Sequence, residues 1–274
     1  MTLSRRDALN AAAGLAVMGA ASGAPTKSAS AALDLTAPEN KLEAYRRIRG
    51  RNDGELALWW WNGYVWAKPN NDVAVHIMTV EGLTFQRLTT NEDGNLTEAM
   101  AGRGTFRDAD TNAPLETWTN PFNGVTAKPD HVRSLNRGVI TPDGLERKHT
   151  ERTLNFVSEI TAPMITGHQI FMRENFVTKN KGRAPGEVST RSSLSTYTAD
   201  AADIADDNAT FRPATFNYQS LGGFRPWMEM DDSTGMLSWQ TVGQKLERGS
   251  ADAPAGIKDW VDANYPGFLD DPGI

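Results

Sequence analysis

The sequence predicts a mainly β protein with a minor α component: a curved antiparallel sheet or β-barrel with short N- and C-terminal helices. Three observations predict it. Aromatic and β-branched residues gather in many short runs, clusters of Gly, Pro, Asn and Asp separate those runs, and helical periodicity is confined to the two ends.

Residues 1–31 read as a twin-arginine signal peptide. Ser4-Arg5-Arg6 stands directly before an Ala/Gly-rich apolar stretch from 8 to 24, the order that a twin-arginine translocase reads. That stretch is shorter and more weakly apolar than the roughly 20 residues that span a bilayer, so no membrane anchor is expected. Ala29-Ser30-Ala31 offers small residues for cleavage, and a single β-rich domain spans 32–274. The expected location is the periplasm.

Within that domain, residues 38–49 carry Leu42, Tyr45 and Ile48 at helical spacing, with Thr36 as the expected cap. Residues 56–67 and 72–88 are aromatic and β-branched strands broken by Pro69-Asn70-Asn71 and by Gly82. Shorter strands are expected at 103–107, 116–119, 153–160, 167–177, 192–198 and 215–218. Residues 224–230 and 236–242 are expected to form a late hairpin turning at 231–235. Residues 254–264 carry Ile257, Trp260 and Val261 on one face of a closing helix, which Pro266-Gly267 stops.

Removing residues 1–31 takes away Arg5, Arg6, Lys27 and Asp7 and moves the net charge from −6 to −8. A chain that acidic is not built to neutralise phosphates, so no nucleic-acid partner is expected. Cysteine is absent, which excludes disulfides, thiolate metal sites, iron–sulfur clusters and a cysteine nucleophile. No phosphate loop, His-Glu-x-x-His or Gly-x-Ser-x-Gly pattern occurs. No cofactor and no metal are expected, and nothing in the sequence excludes self-association.

Two stretches carry a family likeness. Phe106-Arg107-Asp108-Ala109-Asp110-Thr111-Asn112, followed by Trp118-Thr119-Asn120-Pro121-Phe122-Asn123-Gly124 and His131, resembles the signature of the bacterial and fungal family catalogued as domain of unknown function 1838. Phe224-Arg225-Pro226-Trp227-Met228-Glu229-Met230 with Gly235 and Gly243-Gln244-Lys245-Leu246 resembles it as well. The chain departs from the pattern at Thr161-Ala162-Pro163-Met164. The resemblance implies a cofactor-independent protein and a lyase acting on lignin-derived or related phenolic compounds.

Candidate site residues follow from alternation. On the strand through residues 58–66, Trp60, Asn62, Tyr64 and Trp66 share one face, giving two polar tips among aromatic walls. On 224–230, the same period puts Arg225, Trp227 and Glu229 together, a lining suited to a phenolic or carboxylate ligand. Trp118 joins them as a further aromatic wall. His168, His76, His131 and Tyr64 are the candidate bases, with His168 and Arg225 paired as base and anion holder. The expected function is a cofactor-independent lyase or other proton-transfer enzyme on a small aromatic compound. The alternatives are a non-catalytic small-molecule binding protein with an aromatic-lined barrel pocket, or a metal-dependent enzyme.

Overall fold

The computed structural model describes residues 32–70, 72–146, 153–181, 188–230 and 235–274. The expected signal peptide lies outside the described residues, as do His149 and residues 231–234 of the expected turn. Helix α1 (Lys41–Arg49) forms where the spacing predicts, with Leu42, Tyr45 and Ile48 on its buried face and Pro38 opening the 3-10 turn before it. Thr36 does not cap it: its hydroxyl donates to Asp34 Oδ1 instead (2.7 Å). The last carbonyls of α1 are satisfied from across the molecule. The buried Lys245 ammonium donates to the carbonyls of Arg47, Ile48 and Gly50, a favourable place for a cation.

Next come strands β1 (Ala57–Pro69), β2 (Val75–Thr90) and β3 (Leu96–Arg107), the short pair β4 (Trp118–Thr119) and β5 (Thr126–Ala127), then β6 (Val132–Thr141) and β7 (Gly144–Glu146). Strands β8 (Thr153–Ile160), β9 (Met164–Thr166), β10 (Gln169–Lys181) and β11 (Val188–Asp200) lead to helix α2 (Ala201–Ala205). The chain ends with β12 (Ala214–Gly222), β13 (Gly235–Leu246) and helix α3 (Ala255–Asn264). The antiparallel order across the main sheet is β7-β6-β3-β2-β1-β13-β12-β11-β10-β8, with β9 paired to β10. Leu145 N donates to Ser158 Oγ (3.1 Å), which brings the outermost strands together so that the sheet nearly closes into a barrel.

Alternation sets the inside. Trp59, Trp61, Glu98, Met100, Glu174, Phe176, Ser195, Tyr197, Phe216, Tyr218 and Trp239 line the interior, so Trp60, Asn62 and Tyr64 face outward. Trp60 donates to Glu81 Oε1 (2.8 Å) and packs beside α3, whose Ile257 and Val261 cover Leu58, Leu83, Phe85 and Leu246. One barrel end is plugged by α1 and α2: Tyr45, Ile48 and Ile204 pack on Trp59, Ile140, Ile160, Met172 and Tyr197. The other end is covered by residues 108–131 and 224–230, through Phe106, Trp118, Phe224, Met228 and Trp239. No helix among the described residues is long and apolar enough to cross a membrane.

Several strand expectations change. β6 and β7 appear where no strand was expected, and β3 begins seven residues before the expected 103. The interior is polar there, so Glu98, Ser134 and Asn136 point inward while Leu135 is exposed, and the alternation reads inverted. Residues 224–230 are a loop around a 3-10 turn (Pro226–Met228) and not a hairpin strand, because Pro226 cannot donate to a ladder.

Candidate functional site

The barrel interior holds a cavity of about 560 Å³, within the range that small-molecule sites occupy. Close packing of backbone makes room for its aromatic lining. A Cβ on Gly82 would sit 2.2 Å from the Trp61 ring and one on Gly104 would sit 2.7 Å from it, so both glycines let the indole lie flat against the sheet. Trp61 Nε1 then donates to Thr84 Oγ1 (2.9 Å).

The cavity has a cationic end. Arg191 Nη2 donates to Tyr218 Oη (2.5 Å) and Arg191 Nε to Ser220 Oγ (3.0 Å), while Ser193 Oγ lies 3.1 Å from Tyr218 Oη. Burial alone would oppose a phenolate at Tyr218, but the Arg191 cation and the hydrogen bonds from Ser193, Ser220 and Arg191 outweigh it and hold the phenol below its ordinary value. Arg225 reaches in from the covering loop, its guanidinium carbon 4.8 Å from the centre of the Trp239 ring. Burial, with Arg191 adding like charge, brings Arg225 down to about 10, so it stays charged at neutral pH. The hydrogen bonds and ion pairs among the described residues give Arg225 no carboxylate partner, and Glu229, its expected neighbour, is exposed.

The opposite, plugged end is acidic. Arg49 Nη2 donates to Glu98 Oε1 (2.8 Å), Glu174 Oε2 lies 3.8 Å from Arg49 Nη1, and Gln86 Nε2 donates to Glu98 Oε1 (3.0 Å). Arg49 also donates to Tyr45 Oη and lies over the Tyr45 and Tyr197 rings. Burial pushes both of these phenols up, and Glu98 and Glu174 push the same way. Among these three tyrosines, Tyr218 is the one whose surroundings favour the anion.

The covering loop is held by the first family-like stretch. Asn120, 1% exposed, donates to the Met228 carbonyl (2.8 Å) and accepts from Phe122 N (2.9 Å). Asn123 donates to the Glu229 carbonyl (3.1 Å), and Glu229 sits at φ 51°, the left-handed conformation that ends the 3-10 turn. Trp227 packs between Trp118 and Phe106. These contacts fix the segment that carries Arg225. Arg107, in the same stretch, pairs with Glu81 (2.6 Å), and Asp108 caps the turn at Asp110 and Thr111.

Of the residues singled out from sequence, the structure brings Arg225 to the cavity and leaves the others around or away from it. Trp118, Trp227 and Glu229 build the cover. Trp60 and Asn62 are on the outer face of the barrel. Tyr64, 52% exposed, packs edge-on to His76 on that outer face, and Trp66 lies beside His76. His131 accepts from Phe106 N through Nδ1 (3.2 Å) and packs on Trp260; burial lowers its proton affinity, which suits a neutral structural latch. His168 is exposed on the β9–β10 turn, where its carbonyl accepts from Ala201 N at the plugged end. It therefore lies at the end of the barrel opposite Arg225, and the expected pairing of the two as base and anion holder does not form. Among the described residues no three His, Cys, Asp or Glu side chains gather as a metal site.

The sequence reasoning missed Arg49, Trp61, Glu98, Glu174, Arg191, Tyr218 and Trp239. One signal was present: β10 places Glu174 on the same face as Ile170 and Met172, both fully buried, and a carboxylate at core parity marks a polar interior.

The model of the family described as "Protein of unknown function (DUF1838)" matches residues 54–273. No curated protein matches the chain. Among solved structures, "Crystal structure of MucB in complex with MucA(peri)" is 8% identical, covering 84% of this chain and 97% of that one with a TM-score of 0.14. "The complex structure of Pseudomonas aeruginosa MucA/MucB" is 10% identical over the same shares with a TM-score of 0.13. Scores that low carry no argument about fold or function.

Proposed function

The chain belongs to the family described as Protein of unknown function (DUF1838), and for it we propose a cofactor-independent lyase, a proton-transfer enzyme acting on a small aromatic anion of the phenolic acid class. The observation that carries this reading is Arg225, a guanidinium without a carboxylate partner among the described residues, in a cavity where the depressed phenol of Tyr218 is held by a second arginine. Arg225 meets a carboxylate or phenolate through two forked hydrogen bonds. Trp61, Trp239 and Phe216 offer ring faces to the aromatic body.

In the chemistry that this arrangement supports, Tyr218 as phenolate takes a proton from a substrate carbon. The C–H electron pair becomes a new π bond, the bond to a leaving group on the next atom breaks, and Tyr218 returns the proton to that group. Arg191 stabilises the phenolate before and after the transfer, and Arg225 balances the anion throughout. We propose the periplasm as the place of this activity, a reading that the Arg5-Arg6 pair supports.

Incubation of the protein with a panel of lignin-derived phenolic acids and dimers, with and without chelator, followed by mass spectrometry, tests the reading. The expected result is loss of a leaving group from at least one compound, unchanged by chelator and reduced by Arg225→Lys, which loses the forked geometry. Tight binding with the compound recovered intact would make the protein a non-catalytic carrier. Turnover abolished by chelator would make it metal-dependent.

A further inference from the structure

Trp60, Asn62, Tyr64 and Trp66 alternate along the outer face of β1, and the cavity chemistry makes no use of them. Register extends them across β13, β12 and β11 into four rows of four outward side chains, beginning with Trp60, Gln244, Thr215 and Thr198 and ending with the row of Trp66. None of the sixteen is charged. A soluble surface is ordinarily about 25–35% charged, so about four or five charges would be usual on a face of this size. Charge resumes on both flanking strands, at Glu81 of β2 beside Asn62 and at Arg173 of β10 beside Thr196. In place of charges the face carries three rings, together with amides and hydroxyls that both donate and accept hydrogen bonds.

The first two rows form a shallow groove of about 340 Å³. Trp60 stands at one end, and Gln244, Asn217 and the hydroxyls of Thr196, Thr198 and Thr215 line the rest, three strand spacings or about 14 Å across. The Trp60 indole is already fixed, because Nε1 donates to Glu81 Oε1 (2.8 Å) and the ring packs beside α3. From Trp60 the aromatic line runs six residues, about 20 Å, to Trp66, with Tyr64, 52% exposed, between them.

We propose that this outer face binds an extended, neutral polysaccharide chain, with one sugar ring in the groove at Trp60 and a later one stacked on Tyr64. A sugar offers C–H faces to the rings and hydroxyls to the amides, and it carries no charge to be desolvated. An anionic glycan or a lipid headgroup would call for Lys or Arg, and the face has neither. A protein partner would call for an apolar centre, whereas Val242, Leu194 and Leu221 fall singly in separate rows. The aromatic line is longer than one sugar ring, so the ligand is a chain. This site lies outside the barrel and does not depend on the lyase reading.

Depletion of the protein from solution by microcrystalline cellulose and by insoluble xylan tests it. At least one polymer is expected to remove the protein, equally well in low and high salt, because no ion pair contributes. Soluble polygalacturonate, an anionic glycan, is expected not to compete. Tyr64→Ala and Gln240→Ala are each expected to weaken binding by about 5- to 10-fold, and Val242→Glu, which puts a charge at the exposed edge of the groove, to abolish it, all three with the wild-type melting temperature. Depletion by neither polymer would overturn the proposal, as would binding that survives both Tyr64→Ala and Val242→Glu. A wild-type dimer that Val242→Glu dissociates would give the face to self-association and overturn it too.

Discussion

Tyr218→Phe is expected to lower turnover by about 10²–10⁴-fold, the usual contribution of a positioned general base, while changing affinity for the aromatic acid little. The ring that packs in the cavity remains, as do Arg225, Trp61 and Trp239, and only the oxygen that receives the proton is gone. The pH profile carries the same assignment. Tyr218 must be deprotonated to act, so turnover rises with pH through its titration, and that limb lies below the ordinary tyrosine value of 10 because of Arg191 and its hydrogen-bond donors. Activity then falls near pH 10, where Arg225 begins to lose its charge. Ser193→Ala removes one stabilising hydrogen bond and is expected to move the lower limb upward. A variant Tyr218→Phe with wild-type turnover on a compound that the wild type converts would remove Tyr218 from the mechanism.

The second large effect concerns the fold. Arg49→Met is expected to destabilise the domain by about 3–5 kcal/mol at neutral pH, the cost of stranding buried charge when one partner is removed. Glu98 is 1% exposed and Glu174 5% exposed, so neither carboxylate has bulk water to turn to. Met keeps most of the volume, which separates charge from cavity effects. Thermal melting should show a fall on the order of 10 °C for a domain of this size. Glu98→Gln in the Arg49→Met background should restore part of the loss. An unchanged melting temperature at pH 7 would show that water reaches the acidic end of the barrel.

The elements legible in the sequence were those whose buried face is apolar. α1 and α3 showed period-3.6 apolar faces, and β1 and β2 showed aromatic and β-branched runs, because each packs against hydrocarbon on at least one side. β6 was illegible for the opposite reason: it turns Ser134 and Asn136 to a polar cavity and Leu135 outward. The same inversion hid the site. Trp60, Asn62 and Tyr64 look like a lining because their face mixes rings with polar tips, yet that face meets α3 and solvent, while Trp59 and Trp61 face the cavity. Arg225 was singled out from a strand alternation that Pro226 prevents; it reaches the cavity because Asn120 and Asn123 clamp its loop. Tyr218 stood in a correctly expected strand, but its value depends on Arg191 from a neighbouring strand, a pairing that no local pattern shows.

The most direct test is a crystal structure of the protein with 4-hydroxycinnamate bound. The account places the ligand inside the barrel, its carboxylate in forked hydrogen bonds of about 2.7–2.9 Å with Arg225, its ring against Trp61 and Trp239, and Tyr218 Oη at the carbons next to the acid. A ligand seated instead on the outer face at Tyr64 and His76, or an interior holding it with Arg225 turned away, would contradict the account.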